Sequence, residues 1–126
     1  MQQVVDLWLS RFSLDAFLHA QVADVVLVLP DHVREDLVGD GNFRMCDYEP
    51  GLGIVNVPVG LPGRRGAGRA VVLKRTLRKR PAAFVRYVIA HDLAHAHLRN
   101  RGRWPGDDPE HAADALAAEW GFPRPL

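Results

Sequence analysis

The feature that most restricts the fold of this chain is a helical pattern over residues 82–100, AAFVRYVIAHDLAHAHLRN. Pro81 precedes it, and proline is favoured in the first turn of a helix because the missing N–H has no partner there. Side chains at spacings of three and four share one helix face, and here they are Phe84, Val88, His91, His95 and Leu98. The sequence therefore predicts one long helix with two histidines on a largely apolar face.

His91 and His95 are four residues apart, so a helix projects both side chains from the same face. At this spacing the two imidazoles can bind one tetrahedral Zn²⁺, each at about 2.0–2.1 Å. A catalytic zinc site needs a third protein ligand and keeps a fourth position open. Because Cys46 is the only cysteine, that third ligand is expected to be a histidine or a carboxylate.

A second predicted helix supplies the candidate third ligand, Glu110. Asp108 followed by Pro109 is typical of a helix N-terminus, and Gly121 is typical of the position just after a helix. Glu110 lies in the first turn of this helix. We therefore expect the metal ligands to be His91, His95 and Glu110.

The face of the second helix that carries Glu110 also carries Ala113, Asp114 and Ala117. The two alanines allow the two helices to approach closely. Asp114 is placed to accept a hydrogen bond from a ligand histidine, which would fix the tautomer of that imidazole. We expect Asp114 to orient a ligand without contacting the metal.

The other histidines fit a metal site less well. His111 lies about 100° around the helix from Glu110 and is a weaker candidate ligand. His97 leaves the first helix on a different face and is expected at the surface. His19 and His32 have no partner at metal-ligand spacing and are also expected at the surface.

The rest of the chain predicts a small set of helices and strands. In chain order these are a helix over residues 3–19, a buried strand within 23–30, a short helix or turn over 31–41, an antiparallel hairpin of 43–49 with 53–59, a glycine-rich connector over 60–69 and a strand over 69–75. Pro58 favours an edge position for the second hairpin strand. Strands and helices in this order predict an α+β fold with a mostly antiparallel sheet.

Length and composition favour one cytoplasmic domain. A chain of 126 residues, 48% hydrophobic and 25% charged, is long enough for one core and too short for two comfortable ones. No apolar run approaches the roughly 20 residues that span a bilayer, and the N-terminus lacks a basic signal-peptide region. We expect a single domain over residues 1–126 in a reducing compartment, with no membrane partner.

Charge is unevenly distributed although the net charge is only +1. Residues 50–91 carry nine basic residues and no acidic residue, mostly within residues 64–80. Such a block can bind phosphates. No aromatic residue that could stack on bases is interleaved with it, so a nucleic-acid partner is not favoured.

Residues 87–98, YVIAHDLAHAHL, followed by residues 109–122, PEHAADALAAEWGF, resemble the two-helix core of gluzincin metallopeptidases. In that group an HExxH helix supplies two histidines, and a downstream glutamate in an ExxxD pattern supplies the third ligand. Here Glu110 and Asp114 match the ExxxD pattern. The short spacing, with a strand just before the first helix, resembles the small ImmA/IrrE-like peptidases and related minimal zincins. The resemblance covers about residues 69–122.

This resemblance implies a zincin-like fold, a Zn²⁺ cofactor and peptide or protein substrates. It also exposes one departure: Asp92 stands where the family has the glutamate that acts as general base toward the metal-activated water. Aspartate keeps the carboxylate but is about 1.5 Å shorter, one C–C bond. General-base catalysis requires about 2.6–3.2 Å between heavy atoms, so Asp92 is expected to be a weakened base.

Three further interpretations of the sequence stay open. The chain can be a catalytically degenerate zincin that keeps the metal and serves as a binding or regulatory module. His91 and His95 can be a metal-free structural pair that is hydrogen-bonded to Glu110 and Asp114. The basic residues 64–80 can bind nucleic acid. The sequence alone predicts no oligomeric state.

Overall fold

The computed structural model describes residues 1–48, 69–100 and 109–125, without the side chains of residues 99, 100 and 109. These residues form five α-helices and a two-stranded sheet. The helices are α1 (Gln2–Leu9), α2 (Ala16–Leu27), α3 (Asp31–Val38), α4 (Ala82–Asn100) and α5 (Pro109–Glu119). The strands are β1 (Phe43–Tyr48) and β2 (Arg69–Lys74), and a 3₁₀ helix, Arg75–Lys79, follows β2 directly. The predicted α+β class is confirmed.

The two described strands run parallel, so the prediction of a mostly antiparallel sheet is wrong for them. Phe43 of β1 lies opposite Arg69 of β2, and the register continues to Tyr48 opposite Lys74. Both strands bury alternate residues, as the period-two pattern predicts. That pattern identifies a strand but carries no information on the direction of its partner. The predicted hairpin strand over 53–59 and the connector over 60–69 lie outside the described residues.

The N-terminal region contains two helices where the sequence predicts one helix and one strand. α2 continues to Leu27 through the valine-rich segment predicted as a buried strand. Its buried residues, Leu18, Val22, Val25 and Val26, recur at helical spacing, which a short apolar run conceals.

The predicted helix over 3–19 is broken between α1 and α2 by a tertiary contact. The Asp15 side chain caps α2 by accepting the Leu18 N–H at 2.8 Å. The Asp15 backbone N–H in turn donates to the Asp47 carboxylate at 2.5 Å, and the Asp47 N–H donates to the Ser13 carbonyl at 3.0 Å. These bonds to β1 hold residues 13–15 in a non-helical conformation.

Replacement of Asp15 by alanine is expected to lower the free energy of unfolding by about 1 kcal/mol, the usual value of an N-cap. Asp15→Asn keeps a side-chain oxygen at the same position and should retain most of that stability. Urea denaturation followed by circular dichroism measures both variants. Equal losses in the two variants would show that Asp15 does not act as the cap.

α4 is the central element of the fold. It packs against α5 on one side and against α2, α3 and β2 on the others. Its fully buried residues, Val85, Ile89, Ala90, Leu93 and Ala94, join a core to which all five helices and both strands contribute. The faces of α4 are therefore assigned: one carries His91 and His95 toward α5, and the others enter the core.

Arg69, the first residue of β2, is the centre of a buried ionic cluster, which lies on a different face of α4 from His91 and His95. Its side chain is 1% exposed. The guanidinium donates to Asp36 at 2.7 Å, to Asp40 at 2.9 Å and to the Ala96 carbonyl at 3.1 Å. His97 completes the cluster, with its Nδ1 2.7 Å from the Asp36 carboxylate. The cluster ties α3 and β2 to α4.

This cluster overturns the prediction that His97 is a surface residue. The side chain does leave α4 on a different face from His95, but α3 covers that face, and His97 is 7% exposed. A helix that is packed on several sides buries residues that a single amphipathic face would leave in solvent. His32 is exposed as predicted, whereas His19 is half-buried, with Asp6 at 3.7 Å.

In the described part of the chain, no helix is both long and apolar enough to cross a lipid bilayer.

Candidate metal centre

His91 and His95 lie side by side on α4, as the four-residue spacing requires. Their Nε2 atoms are 3.1 Å apart and their ring centroids are 4.7 Å apart. Both side chains are half-buried, so one edge of each ring faces the space between α4 and α5. Two imidazole nitrogens thus point at one location.

α5 brings Glu110 to the same location. Ala113 and Ala117 are fully buried, and these small side chains let α5 approach α4 closely. Gly121 ends the helical segment with a φ of 100°, a conformation that glycine adopts without strain. The α5 N-terminus therefore lies beside the two histidines.

The Glu110 carboxylate contacts both histidines although its side chain is 71% exposed. One oxygen is 2.9 Å from His91 Nε2, and the other is 3.0 Å from His95 Nε2. Two ligand atoms at about 2.0–2.1 Å from one tetrahedral ion lie roughly 3.3 Å apart, so the observed separations are close to those of a coordination sphere. Within residues 1–48, 69–100 and 109–125, one group of at least three histidine, cysteine or acidic side chains converges closely enough to hold a metal ion, and its members are His91, His95 and Glu110.

The donor set is chemically suited to a divalent first-row transition metal. Two imidazole nitrogens and one carboxylate oxygen form three of the four positions of a tetrahedral site. A Ca²⁺ or Mg²⁺ site would be built from oxygen donors. The residues present therefore fit a transition-metal ion, with one position left for a small ligand.

Asp114 orients His91 from the second turn of α5. Its Oδ1 lies 2.7 Å from His91 Nδ1 and accepts a hydrogen bond from the Tyr87 hydroxyl at 2.5 Å. Burial alone would raise the pKa of Asp114, but the bonds from Tyr87 and His91 lower it below its ordinary value. An ionised Asp114 can only accept, so this hydrogen bond places a proton on Nδ1 of His91 and leaves Nε2 as the nitrogen that could bind a metal.

Two residues of this site are absent from the sequence-based prediction, Tyr87 and Arg124. Tyr87 lies one helical turn before His91, and this i−4 position on the ligand face is the signal that could have indicated it. Burial and the bond to Asp114 raise the pKa of Tyr87. Arg124 lies over the Tyr87 ring, 5.6 Å from its centroid, and no periodic pattern indicates a residue beyond the end of α5.

A cavity of about 560 Å³ opens beside two of the three candidate ligands, His91 and Glu110. His91, Glu110 and Asp114 line it together with Tyr87 and Arg124. His111, the weaker candidate ligand, is exposed and also lines this cavity, but it is not part of the group that could hold a metal. A small group could therefore reach His91 and Glu110 from solvent.

Asp92 lines a neighbouring cavity and is not in the ligand group. Burial, with the nearby Glu110 carboxylate as a smaller cause, raises the pKa of Asp92 to about 6, and His91 opposes this rise. A cation held by His91, His95 and Glu110 would lower it again. The structure therefore places Asp92 beside the centre and outside its ligand shell.

No protein-family model, no curated protein and no solved structure matches this chain.

Proposed function

We propose that this chain is a zinc-dependent hydrolase of peptide bonds with a gluzincin-like centre. The observation that carries the proposal is the convergence of His91 Nε2, His95 Nε2 and the Glu110 carboxylate, with separations of 2.9–3.1 Å. The resemblance of HDLAH and of the ExxxD pattern to the gluzincin helices also supports it. Zinc is the metal that most often uses two histidines, one carboxylate and an open fourth position for hydrolysis.

Each residue has a stated role in this proposal. His91, His95 and Glu110 hold the ion, which, when bound, supplies Lewis-acid activation of a water molecule and of the peptide carbonyl. Asp114 keeps the proton of His91 on Nδ1, so that Nε2 stays available as a ligand. Asp92 lies on the wall of the adjoining cavity. In this proposal it accepts the proton of the attacking water and passes that proton to the leaving amine.

A second function is favoured by one observation, the identity of residue 92. Aspartate is about one C–C bond shorter than the glutamate of the family pattern, and general-base geometry tolerates little displacement. A degenerate zincin would keep the ion on His91, His95 and Glu110 and act as a metal-containing binding or regulatory module. The two functions share the metal and differ only in hydrolysis.

Substitutions at Asp92 distinguish the two functions. Zinc-loaded protein should carry about one ion per chain and cleave a mixed peptide library, and Asp92→Asn should reduce cleavage by about 10²–10⁴-fold, the usual contribution of a general base. Asp92→Glu restores the longer carboxylate and should increase the rate. Mass spectrometry of the peptides and elemental analysis of the protein give the two readouts.

The results of these measurements distinguish the peptidase from the degenerate module. Cleavage by wild type that Asp92→Asn removes supports the peptidase. Cleavage only by Asp92→Glu, with zinc bound to both proteins, supports the degenerate module. Protein that takes up no zinc after loading and desalting would contradict both functions and favour the metal-free histidine pair.

Asp114→Asn is expected to weaken zinc affinity by about 10–100-fold, because residues that orient a ligand histidine usually contribute that much. The amide cannot accept from both Tyr87 and His91 with the strength of an ionised carboxylate. Glu119→Gln, which removes an exposed carboxylate from the same helix, is the matched control and should leave the affinity unchanged. Competition with a chromophoric chelator measures the zinc affinity of both variants. Equal losses of zinc affinity in the two variants would exclude the role of Asp114 in orienting His91.

A further inference from the structure

The cavity that Asp92 lines has a volume of about 520 Å³ and lies between β2, the 3₁₀ helix and α4. Its surface is largely apolar, with Val72 and Leu77 on one wall and Phe84 and Val88 on the other. Phe84 and Val88 also line the cavity of the metal centre, so the two cavities adjoin along α4. A segment bound here would continue toward His91.

Three basic side chains border this cavity: Lys74, Lys79 and Arg80. All three are exposed, and among the residues that the structure describes none of them forms an ion pair with an acidic side chain. Neighbouring arginines differ in this respect, since Arg75 is paired with Asp47 at 3.0 Å and Arg86 with Asp24 at 3.4 Å. Within the described residues, the cavity therefore combines an apolar surface and one carboxylate, Asp92, with three basic side chains that have no acidic partner.

We propose that this cavity selects peptide substrates in which an apolar side chain, held between β2 and α4, is flanked by acidic residues that pair with Lys74, Lys79 and Arg80. The proposal rests on the proposed function because it makes the occupant a segment of the substrate. Charge complementarity selects acidic over basic segments. The volume falls within the range of about 300–1,000 Å³ that is usual for ligand pockets.

The same cations could attract a nucleic acid, but the cavity favours a peptide. Single-strand binding uses aromatic side chains on which bases stack. Phe84, the only aromatic residue in this lining, is covered by the Arg80 guanidinium at 4.3 Å from the ring centroid. One face of its ring is thus occupied, and the other apolar side chains of the lining are aliphatic.

Three fluorescein-labelled peptides with one central leucine and flanking glutamate, glutamine or lysine test the proposal. Fluorescence anisotropy with zinc-loaded wild type gives each Kd, and His91→Ala repeats the series without cleavage. The glutamate peptide should bind about tenfold more tightly than the glutamine peptide, as expected for two or three exposed ion pairs. This preference should weaken in high salt, since 1 M salt shortens the screening length to about 3 Å.

Variants of the 3₁₀ helix localise the effect. Lys79→Ala should raise the Kd of the glutamate peptide by roughly two- to fivefold, the usual effect of losing one exposed ion pair. Lys79→Glu should shift the preference toward the lysine peptide. Arg78→Ala is the matched control, because Arg78 is an exposed base of the same helix that does not line the cavity.

The outcomes separate this proposal from the hydrolase. Equal Kd values for the glutamate and glutamine peptides would overturn the charge selection even if cleavage occurs. The same holds if Arg78→Ala and Lys79→Ala lose equal affinity for the glutamate peptide. Competition with unlabelled ligands gives a further test. If a single-stranded oligonucleotide displaces the labelled glutamate peptide at a lower concentration than the unlabelled glutamate peptide does, the cations belong to a nucleic-acid site and the charge selection of peptides is also overturned. If the predicted order of Kd values is observed without cleavage or zinc uptake, the hydrolase is refuted. The proposal that the cavity binds acidic peptides with an apolar side chain would then still hold.

Discussion

Arg69→Met is expected to lower the free energy of unfolding by about 3–5 kcal/mol, the usual cost of removing one partner from a buried ion pair. The guanidinium binds two carboxylates and the Ala96 carbonyl, and only 1% of the side chain is exposed. Methionine fills part of the volume but leaves Asp36 and Asp40 without their cation. Urea denaturation measured by fluorescence and circular dichroism gives the difference.

The matched control for this prediction is Arg86→Met. Arg86 also pairs with an aspartate, Asp24, at 3.4 Å, but the two side chains are 43% and 56% exposed. Exposed pairs usually contribute about 0–1 kcal/mol, so this variant should be nearly as stable as wild type. A loss at Arg69 no larger than the loss at Arg86 would contradict a stabilising role for the buried cluster.

The pH dependence of the Arg69 effect checks its electrostatic origin. Burial would raise the pKa of Asp36, but the bonds from His97 and Arg69 lower it below the ordinary value of 3.8. A group whose pKa is lowered by folding contributes stability above its unfolded-state pKa and loses it as the pH falls through the folded value. The difference between wild type and Arg69→Met should therefore shrink as the pH falls below about 3.8.

Zinc is expected to raise the melting temperature of wild type by roughly 10 °C when free zinc is about 100 times the Kd. A ligand at that concentration stabilises the folded state by about 2.7 kcal/mol, and for a domain of this size each kcal/mol corresponds to several degrees. His91→Ala should remove the increase, because it removes one of the three proposed ligands together with the contact to Asp114. Differential scanning fluorimetry with a zinc titration measures the shift.

Two histidine variants serve as controls for the zinc titration. His111→Ala removes a histidine that lines the same cavity but is outside the ligand group, and it should keep the full increase. His32→Ala removes an exposed histidine of α3 and should do the same. An increase that survives His91→Ala but not His111→Ala would assign the ion to a different set of ligands.

The local parts of the fold were predictable from the sequence. β2, α4 and α5 lie where period-two and helical patterns place them, and Gly121 has the positive φ expected after a helix. The positions of His91 and His95 on one face of α4 follow from helix geometry alone. The nearness of Glu110 depended on a further assumption, that the next helix packs against that face.

Other parts depended on contacts between distant residues. The break between α1 and α2 is stabilised by Asp47, which is 32 residues away from Asp15. The burial of His97 depends on Asp36, 61 residues earlier in the chain. Neither contact leaves a trace in a short window of sequence, and Arg124 contacts Tyr87 of the candidate metal centre only through the path of the chain after α5.

The sequence by itself determined the pair of histidines on α4, the acidic residues on α5 and the aspartate at position 92, because each follows from residue identity and helical spacing. The tertiary structure alone decided the parallel sheet, the burial of Arg69 and His97, and the contacts of Tyr87 with Asp114 and Arg124. Spacing within one helix is set by backbone geometry, which acts over a few residues. Strand direction and the burial of charged side chains are set by which surfaces meet when the whole chain packs.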